Sequence, residues 1–103
     1  MNLDLRRAIA VIIGKTPQRR PIPVTLWGKS DCSLCDRAKA ILDKLGQEYA
    51  LVVSTRDILA DSEAFERFRY VIPVVEIEGG QRFEGKITEY WLRRGLDAVL
   101  LSS

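Results

Sequence analysis

The spacing of apolar positions changes repeatedly along this chain, and each change marks an element. Leu5, Ile9, Ile12 and Ile13 recur at helical spacing between a capping Asn2 and a terminating Gly14, which predicts a short first helix. Lys15 to Pro23 has three prolines and no period, and predicts an extended linker. From Ile22 to Trp27 the residues suit a buried strand, and Gly28-Lys29-Ser30-Asp31 suits a loop. Leu34, Ala38, Ile41, Leu42 and Leu45 then form the inward stripe of a helix, with Asp36, Arg37, Lys39, Asp43 and Lys44 facing water. Ser33 and Asp36 match a capping box, so the helix is expected to begin at Ser33 or a residue or two earlier, and Gly46 ends it.

Tyr49 to Val53 is apolar throughout, which predicts a central strand. A loop holding Arg56 and Asp57 follows, and Asp61 to Phe68 predicts a short helix turned inward through Ala64, Phe65 and Phe68. A strand from Pro73 to Glu78 meets Gly79-Gly80, read as the positive-φ pair of a hairpin, and Gln81 to Glu84 returns antiparallel. Thr88 caps a last helix carrying Trp91, Leu92, Leu96, Val99 and Leu100, with Gly95 as a candidate interruption. The order β-α-β-α-β-β-α predicts an α/β fold, a mixed four-stranded sheet with helices on both faces, preceded by the extra N-terminal helix. Residues 1–21 are expected to be helix and proline-rich linker, and residues 22–103 the folded domain.

Composition narrows the chemistry. A chain of 103 residues, 47% hydrophobic and 29% charged, can bury one core, and it contains no continuous apolar run of membrane-spanning length. The net charge of +2 is uneven, because residues 1–23 hold Arg6, Arg7, Lys15, Arg19 and Arg20 against Asp4 alone. That arm suits an acidic partner or a lipid surface, but it lacks the interleaved aromatics of a nucleic-acid platform, so no nucleic-acid partner is expected. Arg6-Arg7 before an apolar stretch faintly resembles a leader, yet no small-x-small cleavage pattern follows. There is no histidine, which removes Ser-His and Cys-His nucleophile pairs and Cys₂His₂ zinc sites. Two cysteines cannot build a disulfide framework, so a cytoplasmic, reducing setting is expected.

Those two cysteines carry the chemistry. Cys32-Ser33-Leu34-Cys35 follows a strand and heads a helix, and positions i and i+3 there bring the sulfurs within disulfide reach. Cys32, nearest the free N–H groups of the helix start, is the expected attacking thiolate, and Cys35, one turn deeper, the resolving thiol. Two other readings stay open: a pair of small core residues, or half of a metal site that a dimer or thiol cofactor would complete. Asp31 is either a loop residue or a cap, and its charge opposes the effect of Lys29 and the helix dipole on the Cys32 thiol. Lys29 is either a thiolate neighbour or one solvated lysine among many. Pro73 reads, without further context, as a trans strand-opener.

Taken together, Val24 to Cys35 resembles the thioredoxin superfamily, and within it the glutaredoxins and glutaredoxin-like proteins: strand, aromatic, a lysine three residues before the first cysteine, then C-x-x-C. Thioredoxin's tryptophan before that cysteine is absent, with Asp31 in its place. Val71-Ile72-Pro73 is similar to the family's T-V-P element. The resemblance covers roughly Ile22 to Leu100 and implies a thioredoxin-like fold, a cis Ile72-Pro73 bond facing the disulfide, and dithiol-disulfide exchange with Cys32 as nucleophile. It also implies a substrate groove at Lys29, Ile72 and Pro73, where Lys29 stabilises the thiolate or meets a glutathione carboxylate. The implied partners are disulfide-bearing proteins or small thiols, reduced in turn by glutathione or a thioredoxin-type reductase, with no tightly bound cofactor and no metal. One departure stands out. Glutaredoxins hold the γ-glutamyl end of glutathione with Gly-Gly and an acid, whereas this chain has Phe83-Glu84-Gly85-Lys86-Ile87-Thr88, so weak glutathione use is expected. The rival from another class is a redox-inert binding module on the same fold.

Overall fold

The computed structural model describes residues 20–102, so the N-terminal helix and most of the linker read from the sequence lie outside the described residues. The elements are β1 (Ile22–Gly28), α1 (Ser33–Leu45), β2 (Leu51–Asp57), a 3₁₀ turn (Ile58–Ala60), α2 (Ser62–Phe68), β3 (Val74–Ile77), β4 (Arg82–Glu84) and α3 (Glu89–Leu101). The four strands form one sheet in the order β2-β1-β3-β4. β1 runs parallel to β2 and antiparallel to β3, and β3 pairs antiparallel with β4. This is the mixed α/β arrangement that the element order predicts and the thioredoxin-like fold that the resemblance implies.

Alternation along β1 divides the interior. Ile22, Val24 and Leu26 point to one face, where they meet Ala38, Leu42 and Leu45 of α1 and Leu92 and Leu96 of α3. Trp27 and Val74 point to the other face, where Ile58, Ala64 and Phe68 close a smaller cluster under α2. Ion pairs clamp the larger side: Arg93 of α3 donates to Glu48 at 2.6 and 2.9 Å and to Glu89 at 2.9 Å, and Lys44 reaches Glu89 at 2.9 Å. These bonds hold the Glu48 and Glu89 carboxyls below the ordinary range and push Arg93 up. Tyr49, buried beside them, donates to Asp97 at 2.6 Å; desolvation, then that bond, raises its pKa.

Several local expectations are corrected. β2 is an edge strand, not a central one: Leu51 and Val53 turn toward the larger cluster, but Val52 is 54% exposed on the opposite face. It also extends through Arg56 and Asp57, which the sequence suggests as loop. Trp91 and Leu34 are 55% and 40% exposed, because Leu92-Gly95-Leu96 and Cys35-Ala38-Leu42 define the buried stripes and each apolar neighbour rides one position off. Gly95 does not interrupt α3; a Cβ there would lie 3.0 Å from Ile77 Cδ1 and Phe83 Cζ, so it lets the helix approach the sheet. In the hairpin only Gly79 has positive φ, at +77°, while Gly80 makes room for Val99, whose Cγ2 would sit 2.6 Å from an added Cβ.

Candidate functional site

The carboxyl ends of β1 and β2 and the start of α1 converge on the cysteines. β1 ends at Gly28, and Lys29 to Asp31 turn the chain into α1, with Asp31 at φ +58°, a left-handed conformation that aspartate tolerates better than most residues. The helix cap is neither Asp31 nor Ser33 but Cys32, in extended conformation with φ −128° and ψ 102°. Its Sγ accepts a hydrogen bond from the Cys35 N–H at 3.1 Å, and its carbonyl accepts from Asp36 N–H at 3.0 Å. A sulfur thus takes the place of the serine hydroxyl expected from the capping box.

Cys32 and Cys35 are joined in a disulfide, with their Cα atoms 5.2 Å apart. The pair is asymmetric. Cys35 is 6% exposed and lies under the helix, whereas Cys32 stands half-buried at its mouth. Gly28 allows this fit: a Cβ there would come within 2.9 Å of Cys35 Sγ and 3.1 Å of Cys35 Cβ. The sequence gives no hint of that role, since Gly28 reads there as a loop residue.

A cleft of about 300 Å³ opens beside Cys35, lined among others by Gly28, Lys29, Lys39, Thr55 and Arg56. Lys29 is therefore gathered with the cysteine pair, as expected, though its side chain is exposed. On the other side of β1 stands the second expected group. The Ile72-Pro73 bond is cis, as the resemblance implies. Pairing of Trp27 with Val74 continues the antiparallel register to place Pro73 across from Gly28, at the same end of the sheet as the disulfide. Pro73 is buried, and Ile72 packs against the small cluster that includes Trp27.

Gly85, at the position of the missing Gly-Gly-acid element, has φ +76° and a structural task. Its N–H is shared between the carbonyls of Val71 and Pro73, both at 2.9 Å, which ties the cis-proline loop to the end of β4. Thr88 caps α3 by accepting from the Trp91 N–H at 3.3 Å, and the nearby acid, Glu89, is bonded to Lys44 and Arg93. Among the described residues no three His, Cys, Asp or Glu side chains gather to hold a metal ion, and no helix is long and apolar enough to cross a membrane.

A family model described as glutaredoxin-like domain (DUF836) matches residues 23–97. No solved structure matches the chain. The match runs from the second residue of β1 into α3 and so contains the disulfide, the cis-proline loop and all of the sheet but Ile22. On that coverage the chain belongs to the glutaredoxin-like domain family.

Proposed function

We propose that the protein is a thiol-disulfide oxidoreductase acting on protein or small-thiol disulfides in a reducing, cytoplasmic setting. The asymmetry of the cysteine pair carries this reading: one sulfur sits at the helix mouth accepting a backbone N–H, and the other is buried one turn deeper. In the reduced protein a Cys32 thiolate gains from that N–H and from the helix dipole, whereas burial favours a neutral Cys35 thiol.

In the reaction, the Cys32 thiolate attacks one sulfur of a substrate disulfide, forming a mixed disulfide and releasing the first substrate thiolate. Cys35, deprotonated as it attacks, then displaces the second substrate thiolate from Cys32. The substrate gains two electrons and the protein ends as the Cys32–Cys35 disulfide. An external dithiol, or two equivalents of a monothiol, reverses these steps on the protein. Half-buried Ile72 borders the substrate groove, buried Pro73 shapes it from beneath, and Lys29 offers a cation to thiolate or carboxylate.

Glutathione is the weaker reductant in this reading. Gly85 N–H is already shared by two carbonyls, and Glu89 is held by two cations, so neither is free to hold a γ-glutamyl group. The loss of one charge-assisted hydrogen bond, about 1.5–3 kcal/mol, weakens binding by one to two decades. Disulfide reduction is measured with glutathione plus its reductase and, separately, with a thioredoxin-type reductase. Turnover with the second at least equal to the first is expected. Glutathione-dependent turnover at micromolar apparent affinity would contradict the glutathione assignment, and turnover with neither contradicts the redox function.

A further inference from the structure

Arg56, Arg67 and Arg69 form no ion pair among the described residues and lie instead over aromatic rings. The Arg56 guanidinium is 5.0 Å from the centroid of Trp27, Trp27 is 5.7 Å from Phe68, and Arg67 is 4.9 Å from Phe68, so the groups make one continuous stack. Arg69 makes a second, separate pairing on the same helix end, 5.2 Å from Phe65 and 4.7 Å from Tyr70, itself 84% exposed. A guanidinium lying over a ring is held in place there while its edge, with the N–H donors in fork geometry, remains open to a carboxylate. Arg93, by contrast, has its donors filled by Glu48 and Glu89.

The stack lies at the reactive end. Arg56 lines the same cleft as Cys35, and Tyr70 immediately precedes Val71-Ile72-Pro73. Glu63 and Glu66 border the open hollow beside Arg67. A long polyanion such as a nucleic-acid strand would run against those carboxylates, and the Trp27 and Phe68 rings beside the cleft are already covered by guanidinium groups, so bases cannot stack there. A short acidic segment can fork onto the arginines and avoid both obstacles.

We propose that this arginine-aromatic face is the docking surface for an acidic segment of a protein partner, one that flanks the disulfide presented to Cys32. The docking stands on the arginines alone; that the segment flanks a disulfide rests on the redox reading.

Calorimetric titration of the wild-type protein with a cysteine-free Asp/Glu-rich peptide tests it, with a Lys/Arg-rich peptide and a single-stranded oligonucleotide of matched charge as comparisons. The acidic peptide should bind, and added salt should weaken it. Arg56→Glu with Arg67→Glu should lower affinity about tenfold or more, and the two Lys replacements, which keep the charge, should lose less. Arg94→Glu, compared with Arg56→Glu as a single change of equal charge, should leave affinity nearly unchanged, since Arg94 lies over Tyr90 and Trp91 on α3, the helix packed on the opposite face of the sheet. Equal weakening by Arg94→Glu and Arg56→Glu, no binding of the acidic peptide, or tighter binding of the oligonucleotide overturns the proposal. A disulfide-bearing version of the acidic peptide separates the two readings: binding without turnover contradicts the redox function while the docking stands.

Discussion

The two faces of the sheet are finished differently. On the α1/α3 face a large apolar cluster is sealed by Arg93, Glu48, Glu89 and Lys44, cations and carboxylates satisfying one another across elements. On the α2 face a small cluster of Ile58, Ala64, Phe68 and Val74 is bordered by Arg56 and Arg67, which lie on rings and meet no carboxylate among the described residues, while Arg82, also over Phe68, pairs with Glu84. Charges that are already paired stabilise a fold; charges that are held in place but unpaired can meet another molecule. The first face therefore carries stability, and the second borders the chemistry.

The sharpest way to break that contrast is to excavate the larger face. Leu42→Ala should cost about 2–5 kcal/mol, read as a lower denaturation midpoint, because Leu42 is fully buried between helix and sheet. Arg67→Ala on the other face should shift the midpoint little. Comparable losses would show that the α2 face is as structural as its opposite.

Gly28→Ala sharpens the account where the faces meet. An added methyl 2.9 Å from Cys35 Sγ overpacks the disulfide, and the oxidised protein should lose about 1–3 kcal/mol in chemical denaturation. An unchanged midpoint would mean that Cys35 moves freely, against its description as a fixed, buried partner.

Much of this frame was legible in the sequence because it depends on local rules. Thr88 as cap, the period of α1, the proline-opened β3 and the C-x-x-C position all rest on neighbours a few residues apart. What escaped depends on tertiary placement. Leu51-Val52-Val53 is as apolar as a central strand, and only the order β2-β1-β3-β4 makes it an edge. Whether Trp91 or Leu92 turns inward depends on a helix rotation that two adjacent apolar residues leave open. The helix start lies within the range the capping pattern leaves open, but that the capping atom is the Cys32 sulfur rather than the Ser33 hydroxyl is a choice the pattern does not resolve. Arg56, Trp27 and Phe68 come from three elements, and nothing local announces their stack.

Acidification probes the clamped face. Glu48 and Glu89 titrate below the ordinary carboxylate value in the folded protein, so their contribution is present above the unfolded value of 4.5 and is lost as pH falls through the lowered folded values. Thermal denaturation should show this acid-side loss in the wild type and less of it in Arg93→Ala, whose carboxylates lack the main partner. Identical acid profiles would remove the ion pairs from the account of that face.

The smallest expected effect concerns the loop before the cysteine. Asp31→Asn keeps a side chain that tolerates φ +58° but removes a negative charge beside Cys32. Alkylation of reduced Cys32 at neutral pH should become modestly faster; a slower reaction would show that Asp31 assists the thiolate.

The division of labour between the two cysteines is tested most directly by trapping. Cys32→Ser and Cys35→Ser variants are each reduced, exposed to a disulfide substrate and weighed by mass spectrometry. With Cys32 as the attacking sulfur, Cys35→Ser should accumulate a mixed disulfide at Cys32, since nothing resolves it, and Cys32→Ser should accumulate none. Equal trapping by both variants, or by neither, would contradict the account.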